Sequence, residues 1–126
     1  MDNLIIEGTI NLPSINFNAS THLLKIIGRS IPEHPVKFYE PLESWIVDYI
    51  NTQPAKISIV IHLDYLNTHS TECVLIMLKK IENYAKSSQA NIKIEWHFDE
   101  DDEDMEALGE DLASIIDIPF EIKEIR

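Results

Sequence analysis

The segment Leu63-Asp64-Tyr65-Leu66-Asn67-Thr68-His69-Ser70-Thr71-Glu72 gathers hydroxyls, an imidazole and carboxylates into one short stretch. It falls where an alternating apolar run ends and a helical pattern begins. A helix start leaves several backbone N–H groups without internal partners, and its dipole is positive there. Such a corner accepts an anion readily. A hydroxyl at this place could carry a phosphate of about −1.5 to −2 charges. On physics alone plain helix capping, by Asn67, Thr68 or Ser70, is the favoured reading, since strand–helix junctions commonly carry such residues.

Other reactive side chains point to less. The run Asp99-Glu100-Asp101-Asp102-Glu103-Asp104 offers the hard oxygen ligands a cation takes. It lacks the Asp-x-Asp-x-Asp-Gly spacing of a calcium loop, so no metal is assigned; its carboxylates are expected to favour the positive start of a following helix or to meet a basic partner. The histidines at 22, 34, 62, 69 and 97 show no metal-ligand spacing. Cys73 is expected in a helix's first turn, where a thiol pKa can drop, but its favoured reading is a small residue at a packing position. Trp45 and Trp96 read as core aromatics. With only three glycines, no Gly-rich nucleotide cradle can form. Nor does any Ser–His–Asp arrangement stand out. No catalytic residue and no cofactor is assigned.

These residues need a frame. Short strands are expected at 4–7, 14–18 and 23–28, with Asn18-Ala19-Ser20-Thr21 as a turn. From 36 to about 51, Phe38, Leu42, Trp45/Ile46 and Tyr49/Ile50 recur at helical spacing. Pro41 lies in the first turns, where its missing N–H does least harm. Ile57, Ile59, Ile61, Leu63 and Tyr65 alternate along a strand, and Val60 and Leu66 add apolar area to its other face, as in a central strand. A second helix should span about 70–87, burying Val74, Met77, Leu78, Ile81 and Tyr84. Next comes a strand with Ile92, Ile94, Trp96 and Phe98 on one face and Lys93, Glu95 and His97 on the other. A third helix, about 102–116, turns Met105, Leu108, Leu112 and Ile115/Ile116 inward, and a last strand covers 120–125. The later strand–helix–strand units favour parallel pairing. The expected fold is α/β: residues 1–126 as a single domain, with a mixed sheet of five to six strands and three helices mainly on one face.

Composition sets the partner class. The 126 residues are 44% apolar, enough for one core and unlike a disordered tail. A net charge of −12 repels phosphate backbones and anionic lipid, so neither nucleic acid nor membrane is an expected partner. Basic protein surfaces are the natural complement. The opening Met1-Asp2-Asn3-Leu4 lacks the basic, then apolar pattern of a secretory signal. No apolar run approaches the roughly 18 residues of a membrane span, and Cys73 is alone. A cytoplasmic location is expected.

Three stretches, in order along nearly the whole chain, carry a resemblance. They are Gly28-Arg29-Ser30-Ile31-Pro32-Glu33, followed by Phe38-Tyr39 and Trp45; Asp64-Tyr65-Leu66-Asn67-Thr68-His69-Ser70; and Trp96-His97-Phe98-Asp99-Glu100-Asp101-Asp102-Glu103-Asp104-Met105, with Gly109-Glu110-Asp111 and Pro119-Phe120 after it. Together they resemble the SiaC family of bacterial regulatory phosphoproteins, whose fold is similar to STAS domains. The resemblance implies a STAS-like fold and a phosphorylated threonine at Thr68. It implies a cognate serine/threonine protein kinase, a serine/threonine phosphatase, and a diguanylate cyclase activated by the unphosphorylated protein, in cyclic-di-GMP signalling and biofilm formation. The pattern departs at His69, Thr71 and Glu72, beside the acceptor, which bears on the partner's identity.

The expectation is thus a non-enzymatic module whose contacts are switched at Thr68. Its partner-binding residues would be Tyr65, Leu66, Asn67, Thr68, His69, Ser70, Thr71 and Glu72. The alternatives are an anti-sigma-factor antagonist acting on transcription and a small metal-dependent enzyme using the acidic run.

Overall fold

The computed structural model describes residues 1–126. Its elements are β1 Leu4–Ile6, β2 Ser14–Asn18, β3 Leu23–Ser30, α1 Pro35–Asn51, β4 Lys56–Leu66, α2 Thr68–Ser87, β5 Asn91–Asp99, α3 Glu103–Ile115 and β6 Phe120–Ile125. The six strands form one sheet in chain order. β1, β2 and β3 pair antiparallel; β3, β4, β5 and β6 pair parallel. Connection length explains the change. Asn18 Oδ1 accepts the N–H groups of Ser20 and Thr21 at 2.9 and 3.0 Å, closing a tight turn that reverses the chain. Each later crossover contains a helix long enough to return the chain to the same end.

Alternation in β4 and β5 buries Ile57, Ile59, Ile61 and Leu63 beside Ile92, Ile94, Trp96 and Phe98. Against them lie Leu42, Trp45, Ile46 and Tyr49 of α1 and Val74, Met77, Leu78 and Ile81 of α2. Both tryptophans are core residues, as expected. α3 joins the same face. The Trp96 indole N–H donates to the Met105 carbonyl at 2.8 Å, and Gly109 lies flat against that ring. Buried Glu82 of α2 accepts the backbone N–H of Asp117 just beyond α3, and takes the ammonium groups of Lys79 and Lys86 at 3.3 and 3.6 Å. The opposite sheet face carries no helix. It is a polar lattice in which Glu95 meets Lys123, His97 and Lys93 at 2.9, 3.2 and 3.8 Å.

Four expectations need correction. In α1 the inward aromatic is Tyr39, while Phe38 sits at the stripe's edge, edge-on to it. Pro41 lies beyond the first turn of α1, so it removes one intrahelical bond, that to the Lys37 carbonyl. Tyr84 is only half-buried and its hydroxyl donates to the Pro54 carbonyl. Ile115 is exposed, because the helix ends there and the extended backbone at Ile116 turns that next residue inward instead.

Candidate functional site

The site is the corner between β4 and α2, and a slip in the sheet shapes it. β3 and β4 keep register from Leu23 opposite Ser58 to Gly28 opposite Leu63; then Arg29 faces Tyr65 and Asp64 is passed over. This is a β-bulge, one extra residue in one strand. Gly28 accommodates it at φ +127°, a conformation that side chains rarely tolerate. Beyond the bulge the inside–outside alternation inverts. Tyr65, expected inside by simple alternation, is 51% exposed, and Leu66 packs against the core in its place.

The chain then enters α2 through a tightly bonded cap. Ser30, now opposite Leu66, accepts the Asn67 N–H on its carbonyl at 3.2 Å. Asn67 is the N-cap, with extended backbone, and its Oδ1 accepts the Ser70 N–H at 2.9 Å. The Asn67 carbonyl accepts both the N–H and the hydroxyl of Thr71, at 2.9 and 3.0 Å. Of the three capping candidates, Asn67 therefore fills the role. Thr68 becomes the first helical residue, two positions before the expected start, and is exposed. The cap's hydrogen bonds belong to Asn67 and Thr71, which leaves the Thr68 hydroxyl to solvent. The N–H groups of Thr68 and His69 have no acceptor within the helix, so the positive end of a 20-residue helix opens beside that hydroxyl.

The residues expected at a partner surface divide. Tyr65, Thr68, His69 and Glu72 are exposed; Leu66, Asn67 and Thr71 are half-buried. Ser70 is a correction: it is fully buried, and its hydroxyl has no hydrogen-bond partner. As the third helical residue it faces inward, beside the Tyr39 hydroxyl, which bonds to the Ser30 hydroxyl at 2.6 Å. Burial pushes the Tyr39 phenol up to about 12, so it stays protonated. Ser70 thus supports the corner from below and cannot meet a partner or a kinase without local unfolding. Cys73 takes the packing role expected of it, buried in the core, although in the second turn of α2 instead of the first; burial, followed by the nearby Glu43 and Glu72 carboxylates, raises its thiol pKa.

The acidic run caps α3 as expected. Asp102 is the N-cap, its Oδ1 accepting the Met105 N–H at 3.2 Å, and Glu103, Asp104 and Glu106 occupy the first turn. Asp99 is different. It ends β5 and turns onto the helix-free sheet face, where its Oδ1 lies 2.7 Å from His62 Nε2.

No helix is long and apolar enough to cross a membrane. A sequence model of the family described as SiaC family regulatory phosphoprotein matches residues 6–125. An uncharacterised protein of Pseudomonas aeruginosa (strain UCBPP-PA14) is 25% identical over 123 residues, covering 98% of this chain and 97% of that protein. Among solved structures, SiaC of Pseudomonas aeruginosa superposes with a TM-score of 0.91 at 23% identity, over 99% of this chain and all of that one. A second structure, described as the diguanylate cyclase SiaD in complex with its activator SiaC from the same species, matches with a TM-score of 0.91 at 24% identity, over 97% and 99% of the two chains.

Proposed function

The chain belongs to the SiaC family of regulatory phosphoproteins, and on that premise we propose that it is a non-enzymatic cytoplasmic binding module, residues 1–126 acting as one unit, switched by phosphate at Thr68. In the unphosphorylated state it docks on and activates a diguanylate cyclase, a role supported by the related complex, in which SiaC is the activator of the diguanylate cyclase SiaD. A cognate serine/threonine kinase adds the phosphate and a serine/threonine phosphatase removes it.

The observation that carries this reading is the free Thr68 hydroxyl at the rim of α2, held outward by the Asn67 cap and flanked by exposed Tyr65, His69 and Glu72. Tyr65 supplies apolar area for a contact, and the bulge is what turns it out. A phosphate on Thr68 brings about −1.5 to −2 charges to a chain already at −12. The helix start tolerates it, since the N–H groups and dipole favour an anion. A partner shaped for a neutral hydroxyl does not. Sealing the phosphate into a contact without a matching cation costs several kcal/mol, so the complex comes apart while the fold stays.

The test compares unmodified protein, kinase-treated protein, Thr68→Ala and Thr68→Asp for cyclase binding and stimulation of cyclic-di-GMP synthesis. Thr68→Ala should bind like the unmodified protein and resist the kinase. The kinase-treated protein and Thr68→Asp should bind at least about tenfold more weakly, a difference of about 1.4 kcal/mol or more. Equal binding by all four ends the switch.

A further inference from the structure

His62, Asp64 and Asp99 come together on the helix-free face of the sheet. His62 and Asp64 stand two residues apart on β4, so both point to that face, and Asp99 ends the adjacent strand β5, two residues beyond His97, which pairs with His62. One donor atom from each of the three lies within 4.8 Å of the others. His62 Nε2 and Asp99 Oδ1 are 2.7 Å apart.

Two carboxylates this close repel each other, and a shared cation relieves that repulsion. No lysine or arginine forms an ion pair with either carboxylate, although the neighbouring Glu95 gathers two lysines. The bulge leaves Asp64 unpaired with β3, so its backbone can adjust without breaking a ladder bond on that side.

We propose that His62, Asp64 and Asp99 bind a divalent transition-metal cation, which joins the tips of β4 and β5. One imidazole and two carboxylates suit borderline ions such as zinc or manganese better than calcium, which takes six or more oxygens. Ligand atoms around such an ion stand about 2.0–2.2 Å from it, so donor atoms within 4.8 Å of one another are near the spacing that one ion imposes. The site differs from the acidic run read in the sequence, from which it takes only Asp99. It also differs from the Thr68 corner, although Asp64 belongs to the same strand end.

Calorimetry of the full chain, stripped with chelator and titrated with zinc or manganese chloride, tests the proposal. One cation per chain should bind with a dissociation constant on the order of micromolar. His62→Gln and Asp64→Asn should each weaken it at least about tenfold, while a double variant of the acidic run, Asp101→Asn with Asp104→Asn, should leave it unchanged. Asp64 is exposed and outside the core, so Asp64→Asn decides the matter if His62→Gln fails to fold. Absence of binding at millimolar ion overturns the site. So does binding that ignores Asp64→Asn, or binding lost only in the acidic-run variant.

Discussion

Replacing Gly109 by alanine sets two rules of helix stability against each other. In an exposed helix interior, Gly→Ala stabilises by about 1 kcal/mol. Here the added Cβ would fall 2.4 Å from Trp96 Cδ1 and 2.7 Å from Nε1. Carbon atoms pack comfortably at about 3.5–4.0 Å, so the ring edge would have to retreat by about 1 Å. Trp96 has no exposed surface and nowhere to go. Overpacking of this kind costs about 1–3 kcal/mol. The same retreat stretches the 2.8 Å bond from the indole N–H to the Met105 carbonyl, and leaving a buried donor unpaired costs about 1–3 kcal/mol. The clash and the lost bond outweigh the helix gain, so Gly109→Ala should destabilise by about 2 kcal/mol or more. Urea unfolding followed by tryptophan fluorescence would read this as a midpoint lowered by about 1 M at unchanged slope. An equal or higher midpoint would refute the reasoning, because the ring would then have room that the packing denies. A cycle with Trp96→Phe localises the effect, since removing the indole should recover part of the loss.

Two further outcomes follow from the cap of α2 and from the buried carboxylate that ties α2 to the end of α3. Asn67→Ala removes the α2 cap and should lower stability by about 1 kcal/mol, whereas Asn67→Asp, an equally good cap, should keep it; chemical denaturation of the pair separates loss of the cap from loss of the amide. Glu82 has its carboxyl pKa lowered from the ordinary 4.5 by the Asp117 N–H first, and then by Lys79 and Lys86. A lowered folded-state pKa means its stabilisation is fully present above about pH 4.5 and is lost as pH falls through the folded value. Thermal midpoints of the native chain and Glu82→Gln should therefore differ at pH 7 and converge toward acid, and a gap of constant width would show that the charge plays no part.

Much of the fold is legible in the sequence because its signals are local. The alternation in β4 and β5 and the helical stripes of α1 and α2 identify elements and faces from neighbours a few residues apart. That a strand-to-helix corner falls near Thr68 is legible for the same reason, but that Asn67 is the cap and Thr68 the first helical residue is not. What escapes depends on pairing between distant segments. Alternation carried through Asp64 sends Tyr65 inward, and only the register of β3 reveals the slip. Ser70 looks like one hydroxyl among several until α1 brings Tyr39 and β3 brings Ser30 over it. His62 and Asp99 are 37 residues apart and meet only because β4 and β5 lie side by side. Their one trace in the sequence is that both fall on the polar parity of apolar strands, where a charged side chain has no burial to explain it.

The slip at Asp64 divides β4 into two reading frames. Up to Leu63 the strand obeys the rhythm of the core, and its outward positions answer to the sheet. Past that point the rhythm is reset, Leu66 takes over the inward duty, and Tyr65 is released from it. The strand's tip can therefore change its outward vocabulary while the hydrophobic grammar beneath stays untouched.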